Sequence, residues 1–261
     1  MREEIMQMRE TLGSRFTNLT TEEILHRAWL VRITRESDTF TVLRMCRGNI
    51  LRFFRYEGLE HLQEACRLER PVVLLASHMG SLYTECVALG SKGFTIYPIA
   101  RSADRSPATP LPQQIYITLN YRLTGWKLRG RYLFTDFATG LHKGVIAVFN
   151  HKEICFNAID IPKTLYPYKR EQVVFLGKQS SLPSGFIHWA RKKGAVFLSI
   201  WNSVEIVEDQ TIRRCIRIDP IIDAPDVKTV LQCYADRLTE VICQEPWQWM
   251  ALPIARQYYE A

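Results

Sequence analysis

The sequence predicts one α/β domain, in which a mostly parallel sheet is flanked by helices and further N-terminal helices pack on it. Two observations carry this prediction. From residue 71 onward, short apolar runs of strand length alternate with segments of helical period. The chain of 261 residues, with 47% hydrophobic residues, can also bury a sizeable core, and it has no linker-like segment that would divide it.

The N-terminal segment, residues 1–54, has the spacing of amphipathic helices. Its apolar residues recur every three or four positions, as in Leu25, Ala28 and Trp29, and Thr20 with Glu23 predicts a helix start. Residues 58–65 predict one more helix. We therefore divide the chain into an N-terminal helical segment, residues 1–54, and an α/β domain, residues 55–261.

The α/β domain begins with residues 71–76, an apolar run opened by Pro71 that is typical of a strand buried on both faces. Further strands are predicted at residues 94–99, 145–149 and 195–201, with an edge strand at 215–218. Helices are predicted between and after them, at residues 82–89, 113–123, 184–193 and 227–244.

The charge of the chain, +7 in total, is unevenly placed. Residues 161–195 carry seven basic residues and one acidic residue, whereas the chain after residue 203 is mostly acidic. Such a positive face suits anionic lipid headgroups, an acidic carrier protein, a phosphorylated substrate or nucleic acid, and charge alone does not choose among them. The seven cysteines form no C-x-x-C pair, and no aromatic-basic array or nucleic-acid-binding motif occurs, so we expect no zinc or other metal site and no nucleic-acid partner.

The segment SHMGS, residues 77–81, is the first candidate site, because it lies between a buried strand and a helix. Ligands of open α/β sheets bind at this edge. His78 can take a proton from a hydroxyl or amino group. We expect Gly80 to let the backbone approach a substrate, and Ser81 to contact it at the helix N-terminus. The alternative is a histidine that only stabilises a turn.

Several segments, in the same order, resemble the lysophospholipid acyltransferase superfamily, and among its branches the lauroyl/myristoyl acyltransferases that complete lipid A. The similarity spans about residues 55–250. It rests on YEGLEHL (56–62), RPVVLLASHMGS (70–81), DIP (160–162), VVFLGK (173–178), LPSG (182–185), WARKKGAV (189–196) and EPWQW (245–249).

The resemblance implies a glycerolphosphate-acyltransferase-like fold and a transfer of a fatty acyl group. In that family a histidine deprotonates the acceptor hydroxyl, which attacks the thioester of acyl-carrier protein or coenzyme A. It implies no cofactor beyond this thioester co-substrate, and a lipid, sugar or small-metabolite acceptor. It also implies a bacterial protein in the cytoplasm or on the cytoplasmic face of the inner membrane.

The sequence departs from the family where the partner of His78 is expected. The family carries a carboxylate five residues after the histidine, but this chain has Tyr83 there, and Glu85 follows. On a regular helix the two differ by about 200° in direction. Three interpretations stay open: Glu85 reaches His78 through an irregular turn, Tyr83 orients His78 through its hydroxyl, or the catalytic pair is lost.

Four further residues are candidates for substrate binding. Arg101 and Arg105 follow the second predicted strand, and a guanidinium there can hold a phosphate by two hydrogen bonds. Arg131 belongs to a basic turn with Lys127 and Arg129. Asp160 matches an acidic residue of the family, with either a role in orienting a basic residue or a capping role before Pro162.

Two functions from different classes are therefore predicted. The first is an acyltransferase with His78 as general base. The second is a catalytically impaired homologue that binds acyl chains or lipids.

Overall fold

A computed structural model of the chain confirms the α/β class. It describes residues 1–46, 48–101, 110–135, 138–206 and 212–259, without the side chains of residues 39, 83, 138–141 and 206. Seven strands form one sheet in the order β1-β9-β8-β2-β5-β3-β4, and all neighbours are parallel except β8 and β9. These strands are β1 Phe54–Glu57, β2 Val72–Ala76, β3 Ile96–Ala100, β4 Leu133–Phe134, β5 Ile154–Ala158, β8 Val196–Ile206 and β9 Ile212–Ile218.

Helices cover both faces of the sheet. Their bounds are α1 Arg2–Leu12, α2 Thr21–Arg44, α3 Ile50–Phe53, α4 Leu59–Arg67, α5 Leu82–Ser91, α6 Leu111–Lys127, α7 Ala138–Asn150, α8 Gly185–Lys192 and α9 Val227–Gln244. Strands β6 Arg170–Phe175 and β7 Lys178–Pro183 form a separate antiparallel hairpin, which was not predicted from the sequence.

The core is divided between the two faces of the sheet, and β2 shows why. All five of its residues are buried. Val73 and Leu75 join the apolar cluster that contains α1, α7 and α9, whereas Val72 and Leu74 join the cluster that contains α4 and α5. Alternate side chains of a strand point to opposite faces, so a continuous apolar run is required where both faces are covered.

The N-terminal helices pack on the α/β core, as predicted. Thr20 and Glu23 form a capping box at the start of α2, in which the Glu23 amide donates to the Thr20 hydroxyl at 3.2 Å. Ile5 and Met8 of α1 are fully buried in the main cluster. The division drawn after residue 54 falls inside β1, the edge strand of the sheet.

Two of the strand predictions are wrong. Residues 145–149 lie inside α7, where Val145, Val148 and Phe149 are buried with helical spacing, and the strand of this region is β5, a few residues later. A five-residue apolar run fits a buried helix as well as a strand. The segment 215–218 belongs to β9, which is not an edge strand, because it pairs with both β1 and β8.

No helix in the described part of the chain is both long enough and apolar enough to cross a membrane.

Candidate active site

His78 and Asp160 meet at the carboxyl end of the central parallel strands. β2 and β5 are neighbours, and their last residues, Ala76 and Ala158, are paired in register. His78 follows β2 by two residues and Asp160 follows β5 by two residues. The Ile159 amide donates to the Ala76 carbonyl at 3.1 Å, which continues the pairing beyond the strands and sets Asp160 opposite His78.

Asp160 holds the ring and the backbone of His78 at once. Its Oδ1 is 2.7 Å from His78 Nδ1, and its Oδ2 accepts the His78 amide at 2.8 Å. The indole of Trp249 donates to Oδ2 at 3.0 Å, and the Tyr258 hydroxyl donates to the Asp160 carbonyl at 2.7 Å. The Asp160 side chain has no solvent exposure, and its hydrogen bonds to His78 and Trp249 hold it in one orientation. This corrects the expectation that Asp160 binds substrate: its carboxylate is occupied by His78 and Trp249.

The contact with Asp160 determines which nitrogen of His78 is available. A carboxylate only accepts hydrogen bonds, so Nδ1 carries the proton and donates to Asp160 Oδ1. Nε2 has no hydrogen-bond partner within the described residues, and 30% of the His78 side chain is exposed. Burial lowers the pKa of His78, but the charge and hydrogen bond of Asp160 outweigh this and raise the pKa above its ordinary value. His78 is thus an oriented base with one accessible nitrogen.

The C-terminal segment holds the loop that carries His78. The Gly80 amide donates to the Gln248 carbonyl at 2.8 Å, and the Met250 amide donates to the His78 carbonyl at 2.8 Å. Gly80 has a φ of +49°, and a Cβ atom there would lie 2.6 Å from the Asn202 carbonyl oxygen of β8. Gly80 was expected to make room for a substrate; it instead makes room for the backbone of β8.

Ser81 was expected to contact substrate, but it is fully buried in a polar cluster behind the loop. Its hydroxyl accepts a hydrogen bond from Arg214 Nε at 3.1 Å, and the same Nε lies 3.0 Å from Asp38 Oδ1. Burial raises the pKa of Asp38 to about 6, although the charge of Arg214 opposes the shift. This buried ion pair connects α2 and β9 to the loop after His78.

Glu85 does not reach His78. No hydrogen bond joins the two among the described residues, and both Glu85 carboxyl oxygens are buried without a partner there. Burial raises the pKa of Glu85 well above its ordinary value, and the nearby amide of Asn202 opposes this only in part. Burial thus favours the neutral form of Glu85, and a neutral carboxyl cannot balance the charge of an imidazolium. Tyr83 lies in the first turn of α5, and its side chain is outside the described part of the chain.

Of the three predicted arginines, the structure describes Arg101 and Arg131. Arg101 is exposed just beyond β3, at the same edge of the sheet, and its carbonyl accepts the Tyr121 hydroxyl at 3.1 Å. Arg105 lies outside the described residues. Arg131 precedes β4, whose first residue pairs with Ile99, so Arg131 is set back from the carboxyl edge. The adjoining basic turn lines a cavity of about 380 Å³ at the far end of α5, with Lys127, Arg129 and Ser91 in its wall.

Four residues of the site were not recognised as such in the sequence. Trp249 and Tyr258 hold Asp160, while Arg35 and Asp38 of α2 bring charge to the site from the N-terminal segment. The polar Asp38 at a position of α2 where apolar residues recur was the available signal for a buried ion pair.

In the described ranges, His, Cys, Asp and Glu side chains form no group of three that could hold a metal ion. Comparison with models of known protein families gives no match, and no curated protein matches the sequence.

Proposed function

We propose that the protein is an acyltransferase, which moves a fatty acyl group from a thioester of acyl-carrier protein or coenzyme A to a hydroxyl or amino group. The observation that carries the proposal is the pairing of a partly exposed His78 with a fully buried Asp160 at the carboxyl edge of the sheet. A histidine with one nitrogen fixed by a carboxylate and the other accessible is the arrangement of a general base. The resemblance of the segments around residues 56–81 supplies the reaction class.

The chemistry assigned to the pair is a direct transfer. His78 Nε2 takes the proton from the acceptor hydroxyl or amine as its oxygen or nitrogen attacks the thioester carbonyl carbon. The carbon–sulfur bond then breaks, and the imidazolium returns the proton to the leaving thiolate. Asp160 stabilises the imidazolium formed between these steps, which is the role that the family gives to the carboxylate missing at Tyr83.

The donor is proposed to be an acyl-carrier protein that docks beside Asp160. Of the seven basic residues in 161–195, Lys163, Lys169, Lys192 and Lys193 are exposed. Arg170 and Arg191 instead donate to backbone carbonyls, and Lys178 lies over the Tyr259 ring. The loop after Asp160 carries Lys163 and Lys169, so an acidic carrier bound there would reach the site.

Contact with the cytoplasmic face of a membrane is proposed for a surface of α2 and α6, two helices that pack together. Each exposes large apolar side chains about one or two turns apart on one face. We call this the apolar surface: Trp29, Ile33, Phe40 and Leu43 of α2, with Leu111, Ile115, Leu119 and Trp126 of α6. Arg32, Arg44 and Arg122 are exposed on the same helices and suit anionic headgroups.

A non-catalytic lipid-binding role, the alternative, was based on the missing carboxylate after His78. The contact of Asp160 with His78 makes that argument weaker, because Asp160, which follows β5, provides a carboxylate for the imidazole.

The test is transfer of a labelled acyl chain from acyl-carrier protein or coenzyme A to lipid, sugar and amine acceptors. We expect the wild-type chain to transfer and His78→Ala to lose at least about a hundredfold in rate. His188→Ala is a matched control, since His188 also contacts a carboxylate, Glu171 at 2.9 Å, with similar side-chain exposure, 32%. Acyl binding without turnover on any acceptor, or equal rates for His78→Ala and wild type, would overturn the proposal.

A further inference from the structure

Arg35 occupies a position of α2 that faces the core. The buried residues of this helix recur with helical period, and Arg35 falls on their face, one turn before Asp38. The buried residues of this helix are Ile24, Val31, Thr34, Asp38 and Val42. The exposed apolar residues of α2 lie on another side of the helix, so Arg35 does not belong to the apolar surface.

The buried ion pair sets Arg35 beside the active site. Asp38 Oδ1 and Ser81 Oγ are both bound by Arg214 Nε, at 3.0 and 3.1 Å, and Ser81 follows His78 by three residues. The backbone at Arg35 is held by α6, because the Tyr116 hydroxyl donates to the Arg35 carbonyl at 3.3 Å. The helix therefore has a fixed position against the loop of His78.

The guanidinium of Arg35 is not used by the fold. Arg35 as a whole residue is partly buried, yet its guanidinium forms no hydrogen bond or ion pair with any described residue, and the nearby Asp38 is already bound by Arg214. Its positive charge reaches His78, since it acts to lower the pKa of the imidazole. A guanidinium that the protein leaves without a partner is available to bind an anion.

We propose that Arg35 binds an anionic group, a phosphate or carboxylate, on the acceptor, next to the hydroxyl or amine that His78 deprotonates. This assignment rests on the proposed function. The guanidinium offers the planar pair of donors that such oxyanions accept. The donor is the less suitable source, because the phosphate of a pantetheine arm lies at the far end of that arm from its thioester. Arg35 is then a substrate-binding residue that selects charged acceptors.

The first test measures anion binding without any transfer. The ring signals of His78, assigned with His78→Ala, are followed by NMR during titration with inorganic phosphate. Phosphate bound at Arg35 should raise the His78 pKa in wild type and in Arg67→Gln, a change at an exposed arginine of α4. In Arg35→Gln phosphate should bind at least about tenfold more weakly, and Arg35→Lys should recover part of the effect. Equal responses in wild type and Arg35→Gln would overturn the assignment.

The second test separates the acceptor from the donor and from the transition state. With glycerol 3-phosphate and glycerol as paired acceptors, at a pH above the His78 inflection of both proteins, Arg35→Gln should raise KM about tenfold or more for the phosphorylated acceptor. At that pH it should leave kcat and the reaction with the uncharged acceptor unchanged. An equal loss of kcat with both acceptors would assign Arg35 to the reacting carbonyl instead. A loss that follows the phosphate of the donor, seen by comparing acyl-pantetheine with acyl-phosphopantetheine, would also overturn the assignment. Phosphate binding at Arg35 with no transfer to any acceptor would refute the proposed function alone.

Discussion

Nδ1 of His78 and Oδ1 of Asp160 lie 2.7 Å apart, although 82 positions separate the two residues in the chain. The contact follows from the pairing of Ala76 with Ala158 at the ends of β2 and β5. Because both residues lie two positions beyond a paired strand end, the sheet itself aligns them. Trp249 then fixes the carboxylate from the C-terminal segment. The pair proposed to be catalytic thus comes from the ends of two strands rather than from one loop and helix.

The rate of transfer should depend on the ionisation of His78. Asp160 raises the pKa of His78 above its ordinary value of 6.5, and only the neutral imidazole can accept a proton. We therefore expect kcat/KM to rise with pH, with an inflection above 6.5, and Arg35→Gln to move the inflection higher, since Arg35 lowers this pKa. Rates measured between pH 5 and 9 provide the check. A flat profile, or an inflection below 6.5, would contradict the role of His78.

Glu85 should affect stability and not catalysis. Burial raises the pKa of its carboxyl well above 4.5 in the folded protein, whereas in the unfolded chain the carboxyl ionises near this ordinary value. The folded state therefore holds more protons above this pH, and its contribution to stability is lost as pH rises through the folded pKa. Glutamine cannot ionise, so Glu85→Gln should not show this loss. The free energy of unfolding of the variant, relative to wild type, should therefore be about 1–3 kcal/mol higher at pH 8 than at pH 4. Urea unfolding at both pH values tests this; a pH dependence identical to that of wild type would argue against it.

Gly80→Ala should destabilise the loop of His78. The φ of +49° disfavours a side chain, and so does the Asn202 carbonyl oxygen, which would lie 2.6 Å from the added Cβ atom. Gly194→Ala is the matched control, because Gly194 has a φ of +76° but nothing within 4 Å of the corresponding Cβ position. We expect Gly80→Ala to cost about 2 kcal/mol more than the control and to lower transfer. Equal free energies of unfolding for the two variants would show that the approach of β8 does not matter.

The apolar surface should bind anionic vesicles. Replacing Phe40 and Ile115 by Ser removes two side chains that are 69% and 60% exposed, and each loses its apolar burial in the membrane. Binding to phosphatidylglycerol vesicles in a sedimentation assay should fall at least about tenfold. Leu68→Ser, at an exposed residue after α4, should bind like wild type. Retention of binding by the double variant would place membrane contact elsewhere.

The class of fold followed from the sequence because β2 and α9 have clear patterns. β2 is a continuous apolar run after Pro71, and the predicted helix 227–244 has the bounds of α9. Residues 145–149 were misassigned because a short apolar run carries no period of its own. Val145, Val148 and Phe149 are buried in α7 at helical spacing, but this spacing could not be distinguished from that of a strand in so short a run.

The site was predictable only in part, since the partner of His78 depends on strand order. The position of His78 after a buried strand indicated its chemistry. Asp160 could be paired with it only once β5 was known to neighbour β2 in register, which no local pattern reveals. Arg35 was missed for the same reason, because its place beside His78 depends on the buried contact of Asp38 with Arg214.

The most direct measurement compares Asp160→Asn with Glu85→Gln in the same acyl-transfer assay. If Asp160 holds and stabilises the imidazolium of His78, Asp160→Asn should lower kcat by about a hundredfold or more, because the amide removes the negative charge. Glu85→Gln should transfer within about twofold of wild type, since the Glu85 carboxyl forms no hydrogen bond with His78 and burial favours its neutral form. Full activity in Asp160→Asn, or an equally large loss in Glu85→Gln, would contradict the assignment of the pair.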